Sequence, residues 1–184
     1  PADFARDCEA IIARTAPYPR ALIEQCPKLK VIARYGVGYD NIDVKACTER
    51  GIYVCIAATA NMQSVAEHTI ALILECAKGF KTIYREFYAG NWGVRNQGLG
   101  MEVDKKTLGL LGYGRIGAIT AKIAALGLGM NVVAHDPFVS VFPDYVLPES
   151  DRDELFRKSD FVSLHLPANE ATCKSVGARE IALM

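Results

Sequence analysis

The sequence predicts an α/β protein with parallel sheets covered by helices, and three observations carry that reading. The first sixty residues alternate short apolar runs with helical patterns, the rhythm of strands joined by helical crossovers. A long apolar segment, residues 64–88, then shows helical spacing over a length no ordinary strand reaches. Finally, the apolar run Thr107–Leu111 leads into Gly112-Tyr113-Gly114-Arg115-Ile116-Gly117, a glycine turn that opens another helix.

Each element has its own signal. Ala10–Ala13 reads as a short buried strand, and residues 20–26 as a helix stopped by Pro27. Residues 29–35 form a second strand ending in the turn Gly36-Val37-Gly38, residues 44–50 a helix closed by Gly51, and residues 52–56 a third strand. Ser64-Val65-Ala66-Glu67 has the form of a capping box with Ser64 as the cap. The helix it opens is expected to reach Tyr88, ~37 Å at 1.5 Å per residue. Val65, Ile70, Leu72, Ile73, Leu74, Phe80, Ile83 and Phe87 make it apolar nearly all round, as in a helix buried between layers, domains or subunits. Gly79 is expected to kink it. Residues 98–106 read as an exposed loop.

Beyond the glycine turn, Ile116, Ile119, Ile123 and Leu126 lie on one helical face. A second apolar run, Asn131–His135, ends in Asp136, 24 residues beyond Gly112 (136 − 112). A loop with Pro137, Pro143 and Pro148 follows, then a helix near residues 153–158 and a strand at residues 161–166 closed by Pro167. A last helix starts near Ala178 and is expected to run on to Met184.

Strand, glycine turn, helix, strand and acid compose a dinucleotide-binding βαβ unit of Rossmann type. Gly112 permits the tight turn, Gly114 admits a pyrophosphate where a Cβ would stand, and Gly117 allows close packing of helix on strand. The helix amides and dipole face the phosphates. Asp136 would accept from adenosine ribose hydroxyls and repel a 2′-phosphate, favouring NAD over NADP. The plainer alternative is a glycine-rich turn with no nucleotide, and Asp136 as a turn acid before Pro137.

Composition narrows the classes. Lys plus Arg and Asp plus Glu are both 21, and the formal net charge is +0, so nothing points to nucleic acid or an anionic membrane. No apolar run reaches the ~18 residues of a membrane span. Six cysteines show no C-x-x-C and no spacing with histidine for a metal. Cys55 and Cys76 sit within apolar patterns, as reduced core thiols do, which points to the reducing cytoplasm.

The stretches 29–43, 64–72, 107–117 and 160–167 together resemble the D-isomer-specific 2-hydroxyacid dehydrogenases, especially the D-3-phosphoglycerate dehydrogenase and hydroxypyruvate reductase branch. Their signatures here are Ala33-Arg34-Tyr35-Gly36-Val37-Gly38-Tyr39-Asp40-Asn41-Ile42-Asp43, Ser64-Val65-Ala66-Glu67-His68-Thr69, the glycine turn, and Ser163-Leu164-His165-Leu166-Pro167. The resemblance implies a flavodoxin-like substrate domain, residues 1–61, and a hinge helix with a Rossmann NAD-binding domain, residues 62–184, both incomplete. It implies that the Val37 and Gly38 amides meet the substrate carboxylate, an arrangement a glycine turn favours physically, with Val37 also beside the cofactor. Arg14 and Thr15 would contact substrate. Arg115 and Ile116 would lie along the pyrophosphate, Asp136 at the ribose, and Leu166 with Pro167 beside the adenosine.

The chain departs from the family pattern in two places. Ala16-Pro17-Tyr18 stands where the phosphoglycerate branch often has a lysine, and Ala57-Ala58 replaces a glycine pair. The implied activity is NAD-dependent hydride transfer between a D-2-hydroxy acid and its 2-oxo acid; the apolar surface of the long helix and the Trp92 loop separately predicts a homodimer. The alternative is an NAD-binding, corepressor-like regulator without turnover. None of His68, His135 or His165 is read as catalytic. The family's catalytic arginine, glutamate and histidine are expected beyond the position of Met184, an opening strand before residue 1, and an uncovered edge on the fingerprint strand.

Overall fold

The computed structural model describes residues 5–184, which divide into two compact units. One comprises the residues up to Met62 together with Pro167–Cys173; the other comprises Gln63–Leu166 and Lys174–Met184.

The first unit is a three-stranded parallel sheet of β1 (Ala10–Ala13), β2 (Val31–Arg34) and β3 (Tyr53–Ile56), in that spatial order. Ala13 pairs with Arg34, and Arg34 with Ile56, so all three strands end level. Helices α1 (Arg20–Glu24) and α2 (Val44–Glu49) make the crossovers. Asp43 caps α2 by accepting from the Ala46 amide at 2.8 Å. Ala13, Ile23, Cys26, Ile32, Ala46 and Cys47 form the centre of the core. The buried thiols are therefore Cys26 and Cys47, whereas Cys55 and Cys76 are exposed. Cys55 lies on a strand with no fully buried position, and Cys76 falls off the buried stripe of its helix. Apolar context alone did not reveal the face.

The second unit opens with α3 (Met62–Lys78). Ser64 lies inside this helix and is not its cap; the first-turn side-chain bond joins Gln63 Nε2 to Glu67 Oε1 at 2.7 Å. Ala66, Ile70, Ile73 and Ala77 form a single buried stripe, so the helix is amphipathic and not buried all round. Gly79, at φ +65°, ends it and starts α4 (Phe80–Tyr88). The expected kink is thus a full break between two helices. A 3₁₀ turn, Trp92–Asn96, follows.

The second sheet is parallel, with β4 (Thr107–Leu111), β5 (Asn131–His135), β6 (Val146–Pro148) and β7 (Phe161–Leu164) in the order β6-β5-β4-β7. Numbered within the unit, this is 3-2-1-4, the order of a Rossmann half-sheet with its first crossover. Strand β6 lies where the sequence reads only a proline-rich loop. It is short, it occupies the sheet edge, and Pro148 closes it, a place where a missing N–H does no harm. β7 pairs with β4 from Leu108 to Leu111, so the fingerprint strand has neighbours on both sides and the expected bare edge is overturned.

Helix α5 (Arg115–Lys122) runs on as a π-turn over Ile123–Gly127. Helix α6 (Arg152–Lys158) carries Leu155 and Phe156 against Leu111. The last helix, α7 (Ala178–Ile181), is a single turn and stops short of Met184. Buried Leu108, Leu110, Val132 and Ala134 of β4 and β5 form the centre of the main core.

Candidate functional site

In the second unit the glycine turn leaves the carboxyl end of β4, beside the point where the strand order reverses between β4 and β7. Ligands of open α/β sheets bind at such points. The three glycines have three distinct reasons to be glycine. Gly112 has φ +96°, and a Cβ there would stand 2.7 Å from the His165 carbonyl oxygen. A Cβ on Gly117 would stand 2.6 Å from the Gly112 carbonyl oxygen. Around Gly114 a Cβ would meet nothing within 4 Å. Packing therefore forbids side chains at the first and third positions, and it leaves the second facing open space.

Gly114 is also the N-cap of α5 and supplies no side-chain cap. The first helical bond runs from the Ala118 amide to the Gly114 carbonyl at 2.9 Å. The amides of Arg115, Ile116 and Gly117 lie ahead of it, without helical acceptors. Bare amides, a positive helix end and a gap where a side chain would sit fit a diphosphate.

Asp136 follows β5 and reaches across to this turn. Its Oδ2 accepts from the Tyr113 amide at 2.8 Å, and its Oδ1 from the Phe138 amide at 2.9 Å. Each oxygen keeps a lone pair for a further donor. Leu166 is half-buried, with its Cδ2 3.1 Å from the site of a Gly112 Cβ. Pro167 begins the segment grouped with the first unit, and its carbonyl accepts from the Thr172 hydroxyl.

His165 is also built into the turn. Its Cβ lies 3.7 Å from the site of a Gly117 Cβ, and its Nε2 is 3.1 Å from the Ser163 hydroxyl. Burial holds its imidazole below its ordinary pKa near 6.5, because a charged ring loses hydration there. The other histidines are placed differently: His68 is exposed, and His135 Nδ1 meets the Glu149 carbonyl at 2.9 Å.

In the first unit a second glycine turn leaves the carboxyl end of β2. Gly36 has φ +143°. Its carbonyl accepts from the Ala57 amide at 3.0 Å, and the Tyr35 amide donates to Ala13 at 2.8 Å. The turn is thereby fixed on both sides, while the Val37 and Gly38 amides have no acceptor among the described residues. Two successive free amides form an anion-binding concavity. Arg14 and Thr15, exposed, leave the neighbouring end of β1. Arg34 was not singled out from the sequence. Its guanidinium folds back onto the Tyr35 carbonyl, and its Nε is buried with no partner among the described residues. The available signal was a cation closing the otherwise apolar strand Val31–Arg34.

Residues 70–184 match the profile of the D-isomer specific 2-hydroxyacid dehydrogenase NAD-binding domain. The chain belongs to that family. Among its relatives, the D-3-phosphoglycerate dehydrogenase of Methanocaldococcus jannaschii is 39% identical, covering 97% of this chain and 34% of that protein. The hydroxypyruvate reductase of Thermotoga maritima is also 39% identical, covering 97% of this chain and 58% of that protein. The crystal structure of D-lactate dehydrogenase from Aquifex aeolicus complexed with NAD and lactic acid superposes with a TM-score of 0.88 at 33% identity. It covers 100% of this chain, which spans 56% of that one. This member of the 2-hydroxyacid dehydrogenases thus spans only part of the length of the relatives it matches.

Within the family member, the glycine turn, the α5 amides and Asp136 all lie in the matched NAD-binding stretch. Among the described residues no group of three or more His, Cys, Asp or Glu could hold a metal ion, and no helix is long and apolar enough to cross a membrane.

Proposed function

We propose that the protein interconverts a D-2-hydroxy acid and its 2-oxo acid by reversible hydride transfer, using NAD in preference to NADP. The observation that carries this reading is Asp136, a carboxylate fixed to the Tyr113 amide inside the glycine turn with acceptor capacity to spare. It suits the vicinal ribose hydroxyls and opposes a 2′-phosphate by charge. Bound there, the dinucleotide supplies the hydride acceptor or donor. The protein's own contribution is to hold it: Gly112, Gly114 and Gly117 shape the turn, Arg115 and Ile116 present amides to the diphosphate, and Leu166 and Pro167 border the adenosine.

Residues 1–61 serve as the substrate domain and residues 62–184 as the hinge and cofactor domain. Val37 and Gly38 donate their amides to the substrate carboxylate, with Val37 also flanking the cofactor, and Arg14 and Thr15 contact the rest of the acid. Arg34 adds a second guanidinium at the carboxyl end of the same sheet, compensating for the lysine absent from Ala16-Pro17-Tyr18. This charge suits small anionic 2-oxo acids of the hydroxypyruvate or 3-phosphohydroxypyruvate type. The relatives' names, phosphoglycerate dehydrogenase and hydroxypyruvate reductase, support that class. No acid–base residue is assigned among the described residues.

A homodimer in the cytoplasm completes the reading. Phe80, Tyr84, Phe87, Tyr88 and Trp92 are all exposed large hydrophobics, more contiguous apolar surface than a lone subunit usually presents. Cys26, Cys47, Cys55, Cys76 and Cys173 form no disulfide among the described residues, in keeping with a reducing compartment. The test is NADH oxidation by the full-length protein with glyoxylate, hydroxypyruvate and 3-phosphohydroxypyruvate. Turnover is expected, giving the D-hydroxy acid from hydroxypyruvate and 3-phosphohydroxypyruvate and achiral glycolate from glyoxylate; inactivity with all of them would sink the proposal.

A further inference from the structure

We infer that Asn41 is a positioning residue that locks the substrate-contacting loop after β1 onto the glycine turn after β2, an inference that rests on the substrate reading of those two loops. Its side-chain Nδ2 donates to the Ala16 carbonyl at 2.8 Å and to the Arg14 carbonyl at 3.3 Å. Carbonyl oxygens only accept, so the nitrogen of the amide must face them. One side chain thereby fixes the backbone on both sides of Thr15, and with it the directions of Arg14 and Thr15.

The chain around Asn41 explains why this residue holds the position. Strands β1 and β2 are parallel neighbours with Ala13 opposite Arg34, so the two loops leave the sheet side by side. A backbone clasp lies further out: the Tyr18 amide donates to the Asn41 carbonyl at 2.7 Å, and the Asp43 amide to the Tyr18 carbonyl at 3.0 Å. This clasp needs no side chain. Between it and the strand end, the Asn41 side-chain amide is the one hydrogen-bond partner of residues 14–16 among the described residues. Removing that amide frees the contact loop while the clasp and the fold remain.

A second observation separates this role from ordinary loop packing. Asn41 Oδ1 is buried and has no donor among the described residues. A buried, unpaired acceptor is costly and uncommon in finished structure. It is tolerated here because the amide is oriented for its nitrogen, at the expense of its oxygen.

The experiment compares Asn41→Ala and Asn41→Asp with wild type in the full-length protein. Asn41→Ala deletes both donors; Asn41→Asp sets a carboxylate against two carbonyl oxygens. Trypsin cleavage after the exposed Arg14 is expected to quicken in both variants, while the Tyr18 amide, held by its own backbone bond, stays protected from hydrogen exchange. With the 2-oxo acid that wild type reduces best, KM is expected to rise about tenfold for Asn41→Ala, the loss of two neutral hydrogen bonds, and further for Asn41→Asp. The KM for NADH and the melting temperature should stay near wild type. Unchanged cleavage after Arg14 overturns the lock whatever the activity. Faster cleavage with an unchanged acid KM, or a parallel loss of NADH affinity and thermal stability, overturns the substrate-positioning role. Wild-type inactivity on every acid tested would strike the redox reading instead, and the cleavage data would still decide the lock.

Discussion

Asp136 Oδ2 accepts the Tyr113 amide at 2.8 Å, so the acid that ends β5 is tied to the turn that ends β4. The bond fixes the carboxylate before any ligand arrives, and it makes one residue part of both the turn and the proposed ribose contact. Asp136→Asn keeps an acceptor for Tyr113 but loses the charge. Fluorescence titration of the full-length protein should show NADH binding weakened by about tenfold or more, as expected for charge-assisted bonds made neutral. Discrimination against NADPH should narrow. An unaltered preference for NADH would remove Asp136 from the ribose site.

Gly112 and Gly114 are two residues apart, yet the same substitution should do different things. Gly112→Ala combines φ +96° with a Cβ 2.7 Å from the His165 carbonyl, which should cost about 2 kcal/mol or more of stability. Gly114→Ala meets nothing within 4 Å, so the fold should be untouched and dinucleotide binding should fall. Thermal melts alongside NADH titration of both variants separate the effects; similar melts for the two would refute this division.

The buried imidazole of His165 makes stability depend on pH. Its folded pKa lies below the ordinary 6.5, so in the interval between the two values the unfolded chain binds the extra proton and folding weakens. This contribution is intact above pH 6.5 and is lost as pH falls through the folded value. Melting temperatures between about pH 7 and pH 5 should drop less for His165→Gln than for wild type. Parallel curves would show that another group governs the acid limb.

Thiol chemistry should follow burial. Desolvation raises the Cys26 and Cys47 pKa values, while Cys55, Cys76 and Cys173 are exposed. Brief iodoacetamide treatment and peptide mapping should find the exposed three modified at least about tenfold faster. Early labelling of Cys47 would mean that the first unit opens readily.

If the aromatic face of α4 is a subunit contact, Phe87→Glu should dissociate it. Phe87 is 48% exposed and lies 5.5 Å from Trp92, ring centre to ring centre. Sedimentation of the intact protein should change from dimer to monomer. A monomeric wild type would end the dimer proposal.

The sequence by itself determined the strands β1, β4 and β5 to the residue, the two glycine turns, and Asp136 as the acid of the second. These signals are local: an apolar run, a forced φ and a fixed offset along one chain. Tertiary structure decided the rest. Whether Cys55 or Cys47 is buried depends on which face meets the core. Residues 146–148 become a strand only because β5 offers an open edge. Ser64 loses its capping role once the helix begins at Met62. Asn41 meets the Arg14 and Ala16 carbonyls only when parallel pairing brings two distant loops together, and no spacing within one segment encodes a hydrogen bond to another.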